Sequence, residues 1–287
     1  MTAKTAFEIA LYAGVIPAAV ALAGCLLLGW LLGPNAARRY VPGAAFAIAV
    51  FTGYARLPGT TSFAPSQFWE WAPYLGLLAA LVAGVTGTDG LHRFERWLST
   101  SLVCALAAWL VVPSWGDLVP SRQSQGIALT VGMFSLAILL EPLAKRMRSD
   151  AFALWLLLPA ATVSICVMAH VSETIGILAA LPAGALAGCC VAALTSKASS
   201  DASSLALPYT AVIGTYAYAG YVYPTPPPWP LLLAPAAPLA LWLTLIGPLA
   251  RDTGARAMLA QAICVALPLA AIAAFILFAG DAGEAEW

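Results

Sequence analysis

Polar and charged residues in this chain come in short clusters, separated by long runs of Ala, Leu, Val and Pro. A helix needs roughly 20 mostly apolar residues to cross the hydrocarbon core of a bilayer. With charge clusters, Gly and Pro as punctuation, the pattern predicts ten such spans. They run over about 7–33, 41–57, 71–88, 97–116, 125–144, 152–170, 174–195, 205–223, 230–249 and 257–279. Nothing the size of a soluble domain lies between them. The predicted fold is therefore an all-α polytopic membrane protein, one transmembrane domain over residues 1–287 with a short acidic tail at 280–287.

Composition points the same way. The chain is 62% hydrophobic and 9% charged, whereas a soluble domain carries about 25% charged residues. Its formal net charge is zero, and it has no basic stripe of the kind that tracks nucleic acid. Its first partner is the lipid bilayer. The distribution of charge says more than the sum. The loops after spans one, three, five, seven and nine hold Arg38, Arg39, Arg93, Arg96, Lys145, Arg146, Arg148, Lys197, Arg251 and Arg256, while the other side holds only Lys4, Arg56 and Arg122. Basic loops stay in the cytoplasm. This predicts a bacterial inner-membrane protein with both termini outside, Glu70, Asp117 and Glu173 facing the same exterior. Leu22-Ala-Gly-Cys25 has the form of a lipoprotein cleavage site, but the chain continues Leu-Leu-Leu-Gly-Trp, which extends the same helix.

The pentapeptide Ala21-Leu-Ala-Gly-Cys25 returns at Ala185-Leu-Ala-Gly-Cys189. Two further likenesses follow in the same order with similar spacing: Phe51-Thr-Gly53-Tyr54 with Tyr218-Ala-Gly220-Tyr221, and Leu102-Val-Cys104 with Ala262-Ile-Cys264. The reading is a duplicated four-helix unit, spans one to four (about 7–117) and seven to ten (about 174–279), flanking a central pair at about 125–170. A shift of six spans makes the copies parallel, an arrangement in which transporters place substrate at the repeat interface.

Few polar residues fall within the spans, and intramembrane charge is where function is usually sought. His170 and Glu173 stand three apart between spans six and seven. On one helical face they would form a proton-sensitive pair; otherwise Ser172 or Glu173 caps the next helix. Glu141 precedes Lys145 by one turn, a spacing that suits either an ion pair reaching water or a buried proton carrier. Tyr216 lies deepest of the tyrosines of span eight and needs a partner for its hydroxyl. Gly184 and Gly188 form a GxxxG step suited to close helix contact.

The six cysteines all lie in apolar runs without metal-ligand spacing. There is no HExxH, GxSxG or phosphate-binding Gly loop, so no catalytic residue, metal or cofactor is expected. The sparse carboxylates argue against a carrier coupled to protons or sodium.

The segment around Ser172–Gly188, with Gly214-Thr-Tyr216-Ala-Tyr218 and the run Leu231-Leu-Leu-Ala-Pro235-Ala-Ala-Pro238-Leu, resembles uncharacterised multi-pass proteins of planctomycete-type bacteria. That resemblance implies a membrane fold and carries no functional residue. The span count also suits ten-helix metabolite exporters, but those have inverted halves and cytoplasmic termini. The expectation is a transporter-like protein for a neutral or lipid-like small molecule. The rival is a non-catalytic structural or assembly subunit that packs against another membrane protein or a second copy. An intramembrane enzyme using His170 and Glu173 ranks behind both.

Overall fold

The computed structural model describes residues 10–57, 64–86, 92–115, 118, 120–195, 202–224, 228–245 and 254–279. The acidic tail, Lys4, Asp117, Lys197 and Arg251 lie outside these. The described chain folds into helices α1 (Ala10–Leu31), α2 (Gly33–Arg56), α3 (Ala72–Thr86), α4 (Arg93–Val111), α5 (Arg122–Arg146), α6 (Ser149–His170), α7 (Glu173–Thr195), α8 (Ala206–Val222) and α9 (Ala255–Ala279). Short 3-10 turns, Phe68–Trp71 and Ala202–Leu205, lead into α3 and α8, and a long 3-10 helix, Trp229–Leu245, precedes α9. Each of the ten expected spans has its helix, and no strand occurs among the described residues. The chain is an all-α polytopic membrane protein.

Seven of these helices are long and apolar enough to cross a membrane by length and composition. The other three depart for separate reasons. In α2 the predicted basic loop is instead the start of the helix: only Leu32 separates α1 from α2, and Pro34 sits in the opening turn, where its missing N–H costs nothing. Arg38 and Arg39 therefore belong to α2 and lower its mean hydropathy. Helix α8 has 17 residues, about 26 Å at 1.5 Å per residue, and the turn ahead of it adds the rest. The 3-10 helix also has 17 residues, but at about 2.0 Å per residue it extends about 34 Å. Its interior prolines, Pro235 and Pro238, remove two donors within one turn of each other.

Helix α8 is the axis of the molecule. Every residue from Ala206 to Gly220 is buried, and α3, α5, α6 and the 3-10 helix surround it. Helices avoid burying polar side chains unless these are satisfied. Thr210 and Thr215 bond back to the carbonyls of Ala206 and Ala211, each at 2.7 Å. The Tyr209 hydroxyl donates to the Pro235 carbonyl at 3.2 Å. Tyr218 donates to Gln125 on α5, whose amide in turn donates to the Pro120 carbonyl at 2.8 Å.

Lipid tails give no hydrophobic drive for helix association, so small residues and close backbones supply it. Helices α6 and α7 form the most extensive pair, turning through Val171 and Ser172 alone. A Cβ at Gly176 would lie 2.6 Å from the Met168 Cα, and Ser164 donates to the Gly176 carbonyl at 2.8 Å. Helix α7 also lies against α1. A Cβ at Gly184 would meet the carbonyl oxygens of Ala13 and Gly14 at 2.7 Å, and one at Gly188 would meet the Ala18 carbonyl carbon at 2.8 Å. Moving from 184 to 188 advances along α1 in the same sense, so α1 and α7 run parallel. Helix α7 also reaches α2, where the Cys189 thiol donates to the Pro42 carbonyl at 3.8 Å.

Candidate functional site

The alternation of helices collects like ends together. At one end, the C-terminus of α3 meets the N-terminus of α4, the C-terminus of α5 and the approach to α8, and Arg96, Glu141 and Lys145 gather there. At the other, the aromatic residues Phe68, Trp69, Trp115 and Tyr223 converge. These are called the basic and aromatic ends below.

At the basic end a crevice of about 300 Å³ opens between α3, α4, α5 and the start of α8. Its charged lining is Arg96, Glu141 and Lys145; Thr86, Thr100, Ser203 and Ser204 add hydroxyls, and Trp97 an aromatic edge. Lys145 Nζ lies 2.5 Å from Glu141 Oε1, an ion pair one helical turn long with both side chains near half exposed. The Ser204 hydroxyl accepts from the Gly43 N–H at 3.1 Å. That contact fixes the crevice floor to α2. The approach is close because Gly43 has no side chain: a Cβ there would lie 2.9 Å from the Ser204 carbonyl carbon. Pro142 follows Glu141 in α5. Lacking an N–H, it offers no helical donor to the carbonyl of Ile138, another lining residue.

A second, larger concavity of about 730 Å³ lies between α4 and α5 toward the aromatic end. Ala105, Ala108 and Trp109 form one wall, Gly126, Ile127 and Thr130 the other. Arg122 stands at its far end. Its guanidinium lies 4.9 Å from the centre of the Trp109 ring and donates to the carbonyls of Val112 and Trp109, each at 3.3 Å, so it closes the C-terminus of α4.

The residues singled out from the sequence fall in separate places. Glu141 lines the basic crevice. His170 borders a cavity of about 470 Å³ at the aromatic end, with Trp69, Ser172 and Tyr223. His170 closes α6 and Glu173 opens α7, so the two do not share a helical face, and no hydrogen bond or ion pair joins them among the described residues. The first helical bond of α7 runs from the Gly176 N–H to the Ser172 main-chain carbonyl at 2.9 Å, and no hydrogen bond from a Ser172 or Glu173 side chain caps it among the described residues. Tyr216 is fully buried, and its hydroxyl has no partner among the described residues. Gly184 and Gly188 belong to the α1–α7 contact, away from either concavity.

In the sequence, Arg96 reads as a mark of topology. The spacing of Arg96 and Thr100, one turn apart on α4, was the available signal that they share a face. No feature of the sequence brings Ser203 and Ser204 to that face. Comparison with family models, with curated proteins and with solved structures returns no match to this chain.

Proposed function

We propose that the protein is transporter-like and moves a lipid-like molecule along the seam between α4 and α5. One relationship carries this reading. Ala137, Ile138 and Glu141 in the basic crevice stand eleven residues beyond Gly126, Ile127 and Thr130 in the apolar groove. Eleven residues are about three α-helical turns, so one face of α5 lines both concavities. On α4, Trp97 and Ala108 stand in the same relation. A polar crevice thus continues into an apolar groove, with cations at each end: Arg96 and Lys145 at one, Arg122 at the other. From Gln123 to Glu141 the seam rises about 27 Å, close to the core thickness of about 30 Å. An amphiphile with its head in the crevice and its tail in the groove matches that order of surfaces. The excess of basic residues supports placing the crevice in the cytoplasm of a bacterial inner membrane. The duplicated four-helix unit remains part of the proposal, supported by the parallel packing of α1 and α7.

A second reading, the non-catalytic subunit of a membrane complex, draws on a different observation. The centre of the bundle is filled by the buried side chains of Tyr209, Tyr216, Phe46 and Phe152. Meanwhile α4 exposes Phe94, Trp97, Leu98, Leu102 and Trp109.

Native mass spectrometry after gentle release from the protein's own membrane separates the two. A co-released amphiphile, lost when Gly126→Leu fills the groove, is the expected result. A Cβ at Gly126 meets nothing within 4 Å, so a side chain can start there without strain and extend into the groove. A stoichiometric protein partner and no amphiphile would transfer the conclusion to the subunit.

A further inference from the structure

We infer that the recess between α5, α8 and the Trp229–Leu245 helix binds a long-chain alcohol, an uncharged amphiphile whose hydroxyl is held by Gln125 and Tyr218. The site lies on another face of α5 from the groove shared with α4, and the inference stands whether or not that groove carries an amphiphile.

Three surfaces shape the recess, which encloses about 330 Å³. Helix α5 contributes Gln125, Leu129, Gly132 and Leu136, and helix α8 contributes Gly214, Tyr218 and Tyr221. Both sets recur every three or four residues, the spacing of one helical face. Leu232 and Leu233 form the wall from the 3-10 helix, and Leu233 is 53% exposed. The recess thus reaches the outer surface of the bundle, where a membrane amphiphile can enter.

Polarity is confined to one end. Gln125 stands in the first turn of α5, at the aromatic end, and from there to Leu136 the recess runs about 17 Å along the helix. Ser124, Gln125, Tyr218 and Tyr221 lie at the start; Leu129, Met133 and Leu136 line the rest. That order suits a head at the interface and a tail below it. The volume is near the lower limit of ligand pockets, about 300 Å³, which suits one chain rather than the two of a phospholipid.

The chemistry of the head follows from the side chains at that end. The lining residues carry no charge. Arg122, three residues before Gln125, is engaged on α4, where it donates to the carbonyls of Val112 and Trp109. A charged head would lose water here without gaining a counterion, which is costly, whereas a hydroxyl needs only hydrogen bonds. Gln125 and Tyr218 are 6% and 2% exposed. Tyr218 donates to the Gln125 side-chain oxygen, and Gln125 Nε2 donates to the Pro120 carbonyl. A phenol oxygen that donates can still accept, and a primary amide has a second N–H. An alcohol is donor and acceptor at once, so one hydroxyl answers both groups. A ketone or ester carbonyl only accepts, and a hydrocarbon answers neither.

The 3-10 helix adds an acceptor of its own. Its pattern pairs each carbonyl with the N–H three residues on. Pro238 withholds that hydrogen from Pro235, and the Tyr209 hydroxyl supplies it instead. Pro235 withholds it in the same way from the carbonyl of Leu232, a lining residue.

The test labels purified full-length protein in detergent with dodecanol bearing a photoreactive diazirine in its chain, and maps the modified residues by mass spectrometry. Labelling is expected at Leu129, Met133 or Leu136. Unlabelled dodecanol should compete about tenfold better than dodecane or dodecanoate, the scale of one or two hydrogen bonds. Gln125→Leu keeps the bulk, removes the amide and should lower labelling by about the same factor. Gly132→Leu keeps the test decisive if Gln125→Leu folds poorly: a Cβ at Gly132 meets nothing within 4 Å, so the side chain can extend into the recess and abolish labelling, with Gly132→Ala reducing it less. Competition by dodecane or dodecanoate as strong as that by dodecanol would show a recess that holds tails without reading a hydroxyl, and overturns the inference. Labelling that Gln125→Leu and Gly132→Leu both leave unchanged does the same.

Discussion

Tyr209 and Tyr216 sit two turns apart on α8 and are equally buried, yet only Tyr209 finds a partner, the carbonyl of Pro235 at 3.2 Å. A buried hydroxyl without a partner keeps its desolvation cost and gains nothing in return. Removing the two hydroxyls should therefore have different effects. Tyr209→Phe is expected to lower stability by about 1 kcal/mol, and Tyr216→Phe to leave it unchanged or raise it. Reversible unfolding of both variants in mixed micelles checks this. A loss for Tyr216→Phe as large as that for Tyr209→Phe would mean that the Tyr216 hydroxyl is bonded in the native protein.

The α1–α7 contact offers a second test. A methyl group at Gly188 would press into the main chain at Ala18, and backbone cannot rotate aside as a flexible side chain can. Overfilling a packed site costs about 1–3 kcal/mol, so Gly188→Ala should lower the melting temperature in detergent. Gly29→Ala is the control: on the same α1, its added methyl meets nothing within 4 Å, and alanine improves helix propensity. Equal melting temperatures for the two variants would sink the close-contact account of the GxxxG step.

The helices were legible because each apolar run had to be long enough for a bilayer, and charge clusters marked the ends. Local order was less so. Leu32 as a one-residue hinge depends on Pro34 starting a helix, which reads equally as a loop. The 3-10 winding of Trp229–Leu245 follows from prolines packed against α8, which takes up the Pro235 carbonyl through Tyr209. Single residues pointed toward function poorly. His170 and Glu173 are neighbours in sequence and part at a helix boundary, whereas Arg96 and Ser204 are far apart in sequence and share a crevice. Neither outcome is encoded within one span; both depend on which helix ends meet.

Among the described residues, helix α9 is tied to α6 by one polar bond, Trp155 Nε1 donating to Gln261 Oε1 at 3.0 Å. Interhelical hydrogen bonds in membranes average about 0.6 kcal/mol by double-mutant cycle. Trp155→Phe and Gln261→Leu, measured singly and together, should show a coupling of about that size. A coupling near zero would leave α9 held by apolar contacts alone, such as those of Val265 and Leu269.

The Glu141–Lys145 pair should matter little to stability. Its side chains are 42% and 45% exposed, and exposed helical pairs one turn apart contribute about 0.5 kcal/mol or less. Lys145→Gln should therefore leave the unfolding midpoint nearly unchanged. Glu141→Gln should keep stability equally well, since it removes the same half-exposed contact. Parallel losses of stability in both variants would instead make the pair a structural clamp that holds the end of α5.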